Sequence, residues 1–370
     1  MPTYRATLTV ITPVHIGTGQ VLQRRYDYVV HQGRTWRLHV DRVLEAFEAR
    51  WQKQAQGGRY PLPGDLLTEA DFANRGLFRY VLPGRPRLPR PFAELREFIK
   101  DPWDRPYIPG SSLKGAIRTA LAWAGWAERI PALRRNDIGR NPRFAGQPLE
   151  KRLFGPDPNH DLLRALQVSD FFGPQKPGEG LVVVNAQVVT GRGLQAPIEL
   201  EAAVDVTFEG TLKVDDYLFS RHARRLGFGD RRDWLTPQGL LERLRRHSQA
   251  RLEHLAEQFS RFARRGIPGA EKVAEFYDKL LHFDLPESHA FLAIGWGTGW
   301  DGKTFWTHLQ EDTHLFEALV KQFRLQRRPK GAPRRKPGDP FPASRRVVVR
   351  KERVAAPFGW VVLALEEETG

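Results

Sequence analysis

Apolar and polar positions alternate from the start of the chain. Tyr4, Ala6, Leu8 and Val10 are interleaved with Arg5, Thr7 and Thr9, which predicts a half-buried strand. The strand runs into a glycine-rich turn, Thr12-Pro-Val-His-Ile-Gly-Thr-Gly19. Tyr26 to Val30 and Thr35 to Val40, joined through Gln32-Gly33, read as a hairpin, and Asp41 starts a helix through Val43, Leu44 and Phe47. Residues from about 52 to 106 are rich in glycine, proline and charge, and read as an irregular insertion with a short helix near Phe92 to Ile99.

Tyr107-Ile-Pro-Gly-Ser-Ser-Leu-Lys-Gly-Ala-Ile-Arg-Thr-Ala-Leu121 opens with a Pro-Gly turn, and Ser111 or Ser112 can cap a helix start. Leu113, Ile117, Leu121 and Ala124 then share one helical face, while Lys114 and Arg118 share another. Unpaired N–H groups, two hydroxyls and two cations make a phosphate site. An ordinary capped helix with solvated cations fits the same residues, and the segment alone leaves both readings open.

Leu149 to Gly155 follows and contains Leu153-Phe-Gly155. Gln167 to Phe172 reads as a short strand, Leu181 to Thr190 as a longer one. Leu200, Ala202, Val204, Val206 and Phe208 alternate with Glu199, Glu201, Asp205 and Glu209, which predicts one continuous strand. A long helix, Leu240 to Arg265, carries the stripe Leu241, Leu244, Leu252, Leu255, Phe259 and Phe262. Arg243, Arg246, Arg251, Arg261 and Arg264 read as its solvated faces. A helix over Glu271 to Leu281 and a buried strand over Phe291 to Ile294 come next. The strand leads into Gly295-Trp-Gly-Thr-Gly-Trp-Asp-Gly-Lys-Thr304, and a helix is expected from His308 to Phe323. Arg324 to Arg346 is basic, proline-rich and aperiodic, the pattern of a mobile loop. Val347 to Val349 and Trp360 to Leu365 are closing strands. Interspersed strands and helices argue for α+β with helical insertions rather than a parallel doubly wound sheet. The expected division is a core over 1–212 with its insertion at about 48–106, a helical region over 213–287, and a C-terminal portion over 288–370.

Charge narrows the function. The 370 residues carry a formal net charge of +15. A polyanion binder uses such an excess, because neutralised phosphates release counterions. A membrane surface is the competing anionic partner. No apolar run approaches the ~20 residues that span a bilayer, and the N-terminus lacks the basic start and apolar core of a signal peptide. A soluble cytoplasmic protein without membrane contact is expected. The absence of cysteine excludes disulfides and cysteine-bearing zinc sites, and no cofactor is expected.

Thr12 to Gly19, Tyr107 to Arg118 and the Gly295 to Gly299 loop together resemble the RAMP superfamily of CRISPR effector proteins. Leu153-Phe-Gly155, Val168-Ser-Asp170 and the strand ending Phe208-Glu-Gly210 extend the likeness, which runs from Tyr4 to about Gly210 and resumes at Phe291. The resemblance implies an RRM-like (ferredoxin-like) antiparallel sheet core. Tyr26-Asp-Tyr-Val-Val30, and Phe341-Pro-Ala-Ser-Arg-Arg346 before Phe358-Gly-Trp360, resemble the type III-A (Csm) subunit that caps the backbone filament at the 3′ side of the guide RNA. The implied partners are crRNA, other RAMP subunits of a type III-A complex and target RNA. The expected RNA-binding residues are His15, Gly17, Gly19, Ser111, Ser112, Lys114, Arg118, Gly297, Gly299, Lys303, Arg345 and Arg346. Tyr26, Tyr28, Trp296 and Trp300 are candidate stacking platforms, with core packing the alternative for each.

Three enzymatic readings compete with a binding role. Gly297-Thr-Gly-Trp-Asp-Gly-Lys-Thr304 matches the P-loop pattern letter for letter, after an apolar strand and before a helix. Too little chain follows to build a parallel sheet, however, and the one Walker-B-like segment, Val361 to Glu366, ends in Glu rather than Asp. His15 can shuttle a proton in a metal-independent guide-processing ribonuclease, but no partner for it is evident. Asp27 occupies the place of the aspartate with which the repeating backbone subunit of the resembled complexes cuts target RNA. It sits in a strand-like run, and the resembled capping subunit is non-cleaving, so a structural or RNA-proximal role is expected. A non-enzymatic subunit is the preferred reading.

Overall fold

Alternation puts Ala6, Leu8 and Val10 on the dry side of β1 (Thr3–Val10) and leaves Arg5 and Thr9 in water. The computed structural model describes residues 2–58, 60–87, 93–130, 135–326, 336–337 and 339–367. After β1 come β2 (Gly17–Gln23), the hairpin β3 (Tyr28–His31) and β4 (Arg34–Leu38), and helices α1 (Val40–Ala46) and α2 (Glu48–Gln56). Strands β5 (Phe78–Pro83), β6 (Glu94–Phe98) and β7 (Tyr107–Ile108) precede α3 (Gly110–Arg129), the short α4 (Arg135–Ile138) and α5 (Gln147–Phe154). Then come β8 (Leu166–Val168), β9 (Phe171–Phe172), β10 (Leu181–Thr190), β11 (Gly193–Ala203) and β12 (Thr207–Val214). The last third holds α6 (Pro237–Arg264), α7 (Ala270–Leu281), β13 (His289–Ala293), α8 (Trp306–Glu311) and α9 (Thr313–Gln322). Strands β14 (Ser344–Arg350), β15 (Arg353–Ala356) and β16 (Trp360–Glu367) close it.

The first sheet has the order β13-β16-β1-β12-β9-β7, with β8 also on β12, and its pairings are antiparallel. Helix α3 connects β1 to β8, and α6 lies between β12 and β16 in the chain, which is the β-α-β-β-α-β plan of an RRM-like core. The two helices contact each other and bury Leu113, Ile117, Leu121, Leu241 and Leu244 against Ala6, Leu8, Phe208 and Leu363. The α+β expectation therefore holds. The second sheet runs β15-β14-β10-β11-β6-β2 and has one parallel pair, β11 with β6. The third, β3-β4-β5, packs with α1 around Trp36, Leu38 and Val43.

Several expectations need correction. The alternation across Glu199 to Glu209 is two strands in different sheets. β11 ends at Ala203 and β12 begins at Thr207, with Asp205 turning the corner at φ 51°. Apolar residues hold the same parity in both strands, so the period of two passes through the corner unbroken, although Glu199 and Glu201 of β11 are themselves buried. The short helix near Phe92 to Ile99 is instead β6 from Glu94 onward, and Phe92 lies outside the described residues. So short a segment nucleates a helix poorly, whereas pairing with β2 and β11 satisfies its backbone on both sides. The expected helix from His308 to Phe323 breaks at Asp312, whose carboxylate caps Leu315 N–H and starts α9. Arg243 and Arg251 of α6 are buried, at 7% and 2% exposure, not solvated. Of the basic Arg324 to Arg346 segment, residues 327–335 and 338 lie outside the described residues, and its end forms β14.

Candidate nucleic-acid interface

Three glycine-bearing segments meet at His15. Trp296 N–H donates to the His15 carbonyl (2.8 Å), Gly359 N–H to Pro13 (3.0 Å) and Ile294 N–H to Gly359 (2.8 Å). Glycine is needed at 295, where φ is 76° and a Cβ would stand 2.6 Å from the His15 carbonyl oxygen. It is needed at 17 because a Cβ there would lie 2.8 Å from His15 Nε2. His15 is 3% exposed, and its Nδ1–H donates to the Glu201 carbonyl (2.7 Å), which fixes the tautomer. Burial lowers its pKa from the ordinary 6.5, with the Glu201 hydrogen bond opposing. A neutral, buried ring locked at one nitrogen supports the walls of a site and is poorly placed as an acid or base.

Trp296 stands edge-on to His15 (6.0 Å between centroids) and Phe358 (5.5 Å). Arg346, from β14, lies 5.2 Å from the indole centroid. Arg96, from β6, lies 5.8 Å from it. Gly19 is exposed at φ 91° on the neighbouring β2, and its added Cβ would meet nothing.

Behind this surface the P-loop-like segment is clamped from within. Asp301 is fully buried and takes both terminal nitrogens of Arg345. Arg345 also donates to Gln258, and Arg251 donates to the Thr298 carbonyl (3.0 Å). Burial alone would raise the Asp301 pKa, but Arg345 and Arg251 outweigh it and hold the carboxyl below its ordinary range. Gly297 packs on Phe358, and Gly299 on the Arg345 guanidinium and Asp301. Trp300 packs edge-on to Phe341 (5.0 Å). Lys303 is exposed on a 3-10 turn, Asp301–Lys303, and the next helix has only six residues. The preceding strand, β13, ends an antiparallel sheet. A P-loop needs a parallel strand feeding a long helix, so the letter match lacks its structure.

The α3 start is a second cluster, held at β8 and β9. Its cap comes from the strand turn, since Gly110 N–H donates to Asp170 Oδ1 (2.8 Å). Ser111 and Ser112 sit inside the first turn, and no side chain at Pro109 caps the helix. Lys114 Nζ donates to the Leu166 carbonyl (2.7 Å); burial lowers its pKa, with Asp161 opposing. Arg118 reaches Glu150 (3.0 Å) and Asp161 (2.8 Å) and lies 4.1 Å from the Phe154 centroid. A phosphate here would have to displace a carboxylate from the helix start and two from Arg118.

Of the remaining candidates, Tyr26 is 48% exposed, whereas Tyr28 is fully buried and donates to the Ala93 carbonyl (2.7 Å). Asp27 accepts from Gln23 N–H (2.8 Å) and pairs with Arg37 (3.2 Å), which ties it to its own turn. The structure thus gathers His15, Gly17, Gly297 and Arg346 around Trp296, with Arg345 and Gly299 behind and Gly19 exposed on β2. Ser111, Ser112, Lys114 and Arg118 form the other group. Sequence reading missed Arg96, because its strand was read as a helix in an irregular insertion. Only Leu95 marks the buried face by its polarity, because Glu97 on the same face is a buried acid and Phe98 lies on the opposite face.

The RAMP superfamily model matches residues 7–300. Among curated proteins, the CRISPR system protein Csm5 of Methanocaldococcus jannaschii is 25% identical over 280 residues, 70% of this chain and 63% of that protein. Csm5 of Streptococcus thermophilus is 29% identical over 188 residues, 45% of this chain and 51% of that protein. The chain thus aligns with less than two thirds of each relative's length. A chain of a Csm–crRNA–target RNA ternary complex from a type III-A system superposes with a TM-score of 0.70 at 23% identity, covering 98% of this chain and all (100%) of that one. The crystal structure of T. onnurineus Csm5 gives 0.64 at 23%, covering 96% and 99%. At these identities the superpositions show a shared fold.

Proposed function

The chain belongs to the RAMP superfamily, and from that premise we propose that it is an RNA-binding subunit of a type III-A CRISPR effector complex. It holds the 3′ part of the guide crRNA, ends the filament of related subunits, and works in the cytoplasm with crRNA, other RAMP subunits and target RNA as partners. The names of the similar proteins support this reading, as does the +15 charge. The observation that carries it is the Trp296 surface, where conformationally restricted glycine segments and two arginines meet. Guide sequences vary, so contacts to phosphate and sugar serve better than contacts to base edges.

In this reading Gly17, Gly19, Trp296 and Arg346 face the RNA. His15, Gly297, Gly299 and Arg345 hold them in place. The role is structural, because Asp27 is tied to its turn and Arg37 while His15 is buried and locked. No helix among the described residues is long and apolar enough to cross a membrane.

Nuclease footprinting of the assembled complex tests the proposal. Protection of the guide's 3′ segment should vanish when this chain is omitted. Equal protection with and without it would contradict the proposal.

A further inference from the structure

Two cations share one aromatic ring. Arg96 and Arg346 project from β6 and β14, with β10 and β11 between them in the sheet, and both guanidinium carbons lie within 6 Å of the Trp296 centroid, at 5.8 and 5.2 Å. Among the described residues neither has a carboxylate within ion-pair distance. Arg346 has one long bond, 3.4 Å to the Ala196 carbonyl, and Arg96 is exposed. Burial, and then the charge of Arg96, lower the Arg346 pKa. The ring itself is fixed edge-on by His15 and Phe358 and by the Trp296 N–H bond to His15.

What sets it apart is the pair: among the described residues Arg75 on Trp36 and Arg143 on Phe144 also lack a carboxylate, but each lies singly on its ring. Arg118, Arg79, Arg25 and Arg345 all meet carboxylates. Two guanidiniums held against one ring repel, and a site that keeps them there expects an anion. The fork geometry of each matches the two non-bridging oxygens of a phosphodiester. A base stacked on Trp296 would compete with guanidiniums already over the ring.

We propose that Arg96 and Arg346, with Trp296 as floor, form a notch that seats one backbone phosphodiester of single-stranded RNA. The notch reads charge and spacing, not base identity. It rests on the RNA-binding reading above and sharpens it to a named contact.

The test uses the full-length chain and RNA oligonucleotides with hydroxyl ends, so that no terminal phosphate competes. One series carries a single neutral methylphosphonate linkage at each position in turn. A second carries a single abasic nucleotide. Binding is read by fluorescence anisotropy for the wild type, Arg96→Gln and Arg96→Gln/Arg346→Gln. The wild type should lose about tenfold in affinity at one methylphosphonate position, the scale of a lost charged hydrogen bond. The double variant should be insensitive at that position, and its salt slope smaller by about one to two. Arg96 is exposed, so Arg96→Gln keeps the fold and should show part of both effects. If no linkage couples to the arginines, the notch is wrong although RNA binding stands. Coupling in the abasic series instead would make Trp296 a base platform and overturn the notch. A wild-type chain that binds none of these RNAs would overturn both the notch and the RNA-binding reading.

Discussion

The start of α3 and the Trp296 surface both carry glycines and a pair of cations, yet they differ in their counter-charges. At α3 the helix start and both cations are answered from within: Asp170 caps Gly110, Glu150 and Asp161 hold Arg118, and the Leu166 carbonyl takes Lys114. At Trp296 two arginines lie against one ring and no described carboxylate pairs with either. A cation offers itself to a phosphate only where the protein has not already supplied an acid. Spacing along a helix reveals the cation, and tertiary structure alone reveals the acid.

The largest effect should come from beneath the open surface. Asp301→Ala leaves Arg345 buried and unpaired, a loss on the order of 3–5 kcal/mol. Urea unfolding followed by circular dichroism would measure it. A change below about 1 kcal/mol would mean the clamp does not hold the loop.

Acid should weaken the same layer. Burial holds His247 at about 3 and His254 at about 4, against an ordinary 6.5. Below pH 6.5 the unfolded chain takes up protons that the folded chain refuses, so stability rises with pH and falls as pH drops from 6.5 toward 4. Each imidazole contributes up to about 1.4 kcal/mol per pH unit. Thermal melting between pH 7 and 5 should show this slope, and His247→Leu should remove about one proton's share. An unchanged slope in the variant would place the titrating group elsewhere.

At α3 the effects should be smaller and confined to stability. Arg118→Ala should cost about 1 kcal/mol, since its partners are part-exposed, and Asp170→Ala about 1 kcal/mol as a lost cap. RNA affinity of either folded variant should match the wild type. A tenfold loss of affinity at unchanged melting temperature would erase the contrast between the two regions.

The sequence revealed most where one period governs one element. β1 and the apolar stripe of α6 follow their alternation or helical spacing, because one face of each is core. It failed where polar residues are buried. Glu201 reads as a solvent position but is 1% exposed, accepting from Tyr80, Phe98 N–H and Lys100. The second sheet is covered on that face too, and Glu201 is satisfied internally, whereas Glu199 has one buried oxygen without a partner among the described residues. The candidate site was half legible for the same reason. Neighbouring Arg345 and Arg346 look alike in the chain, yet strand alternation turns one into the Asp301 clamp and the other toward Trp296. Arg96 comes near them only because β6 pairs with β11, which no local pattern announces.

One measurement addresses the central claim most directly: the salt dependence of RNA affinity for two double variants of the whole chain. The account predicts that Arg96→Gln/Arg346→Gln lowers the slope of log affinity against log salt by about one to two, while Lys114→Gln/Arg118→Gln leaves it unchanged. The reverse result, a slope reduced only by the α3 pair, would contradict it.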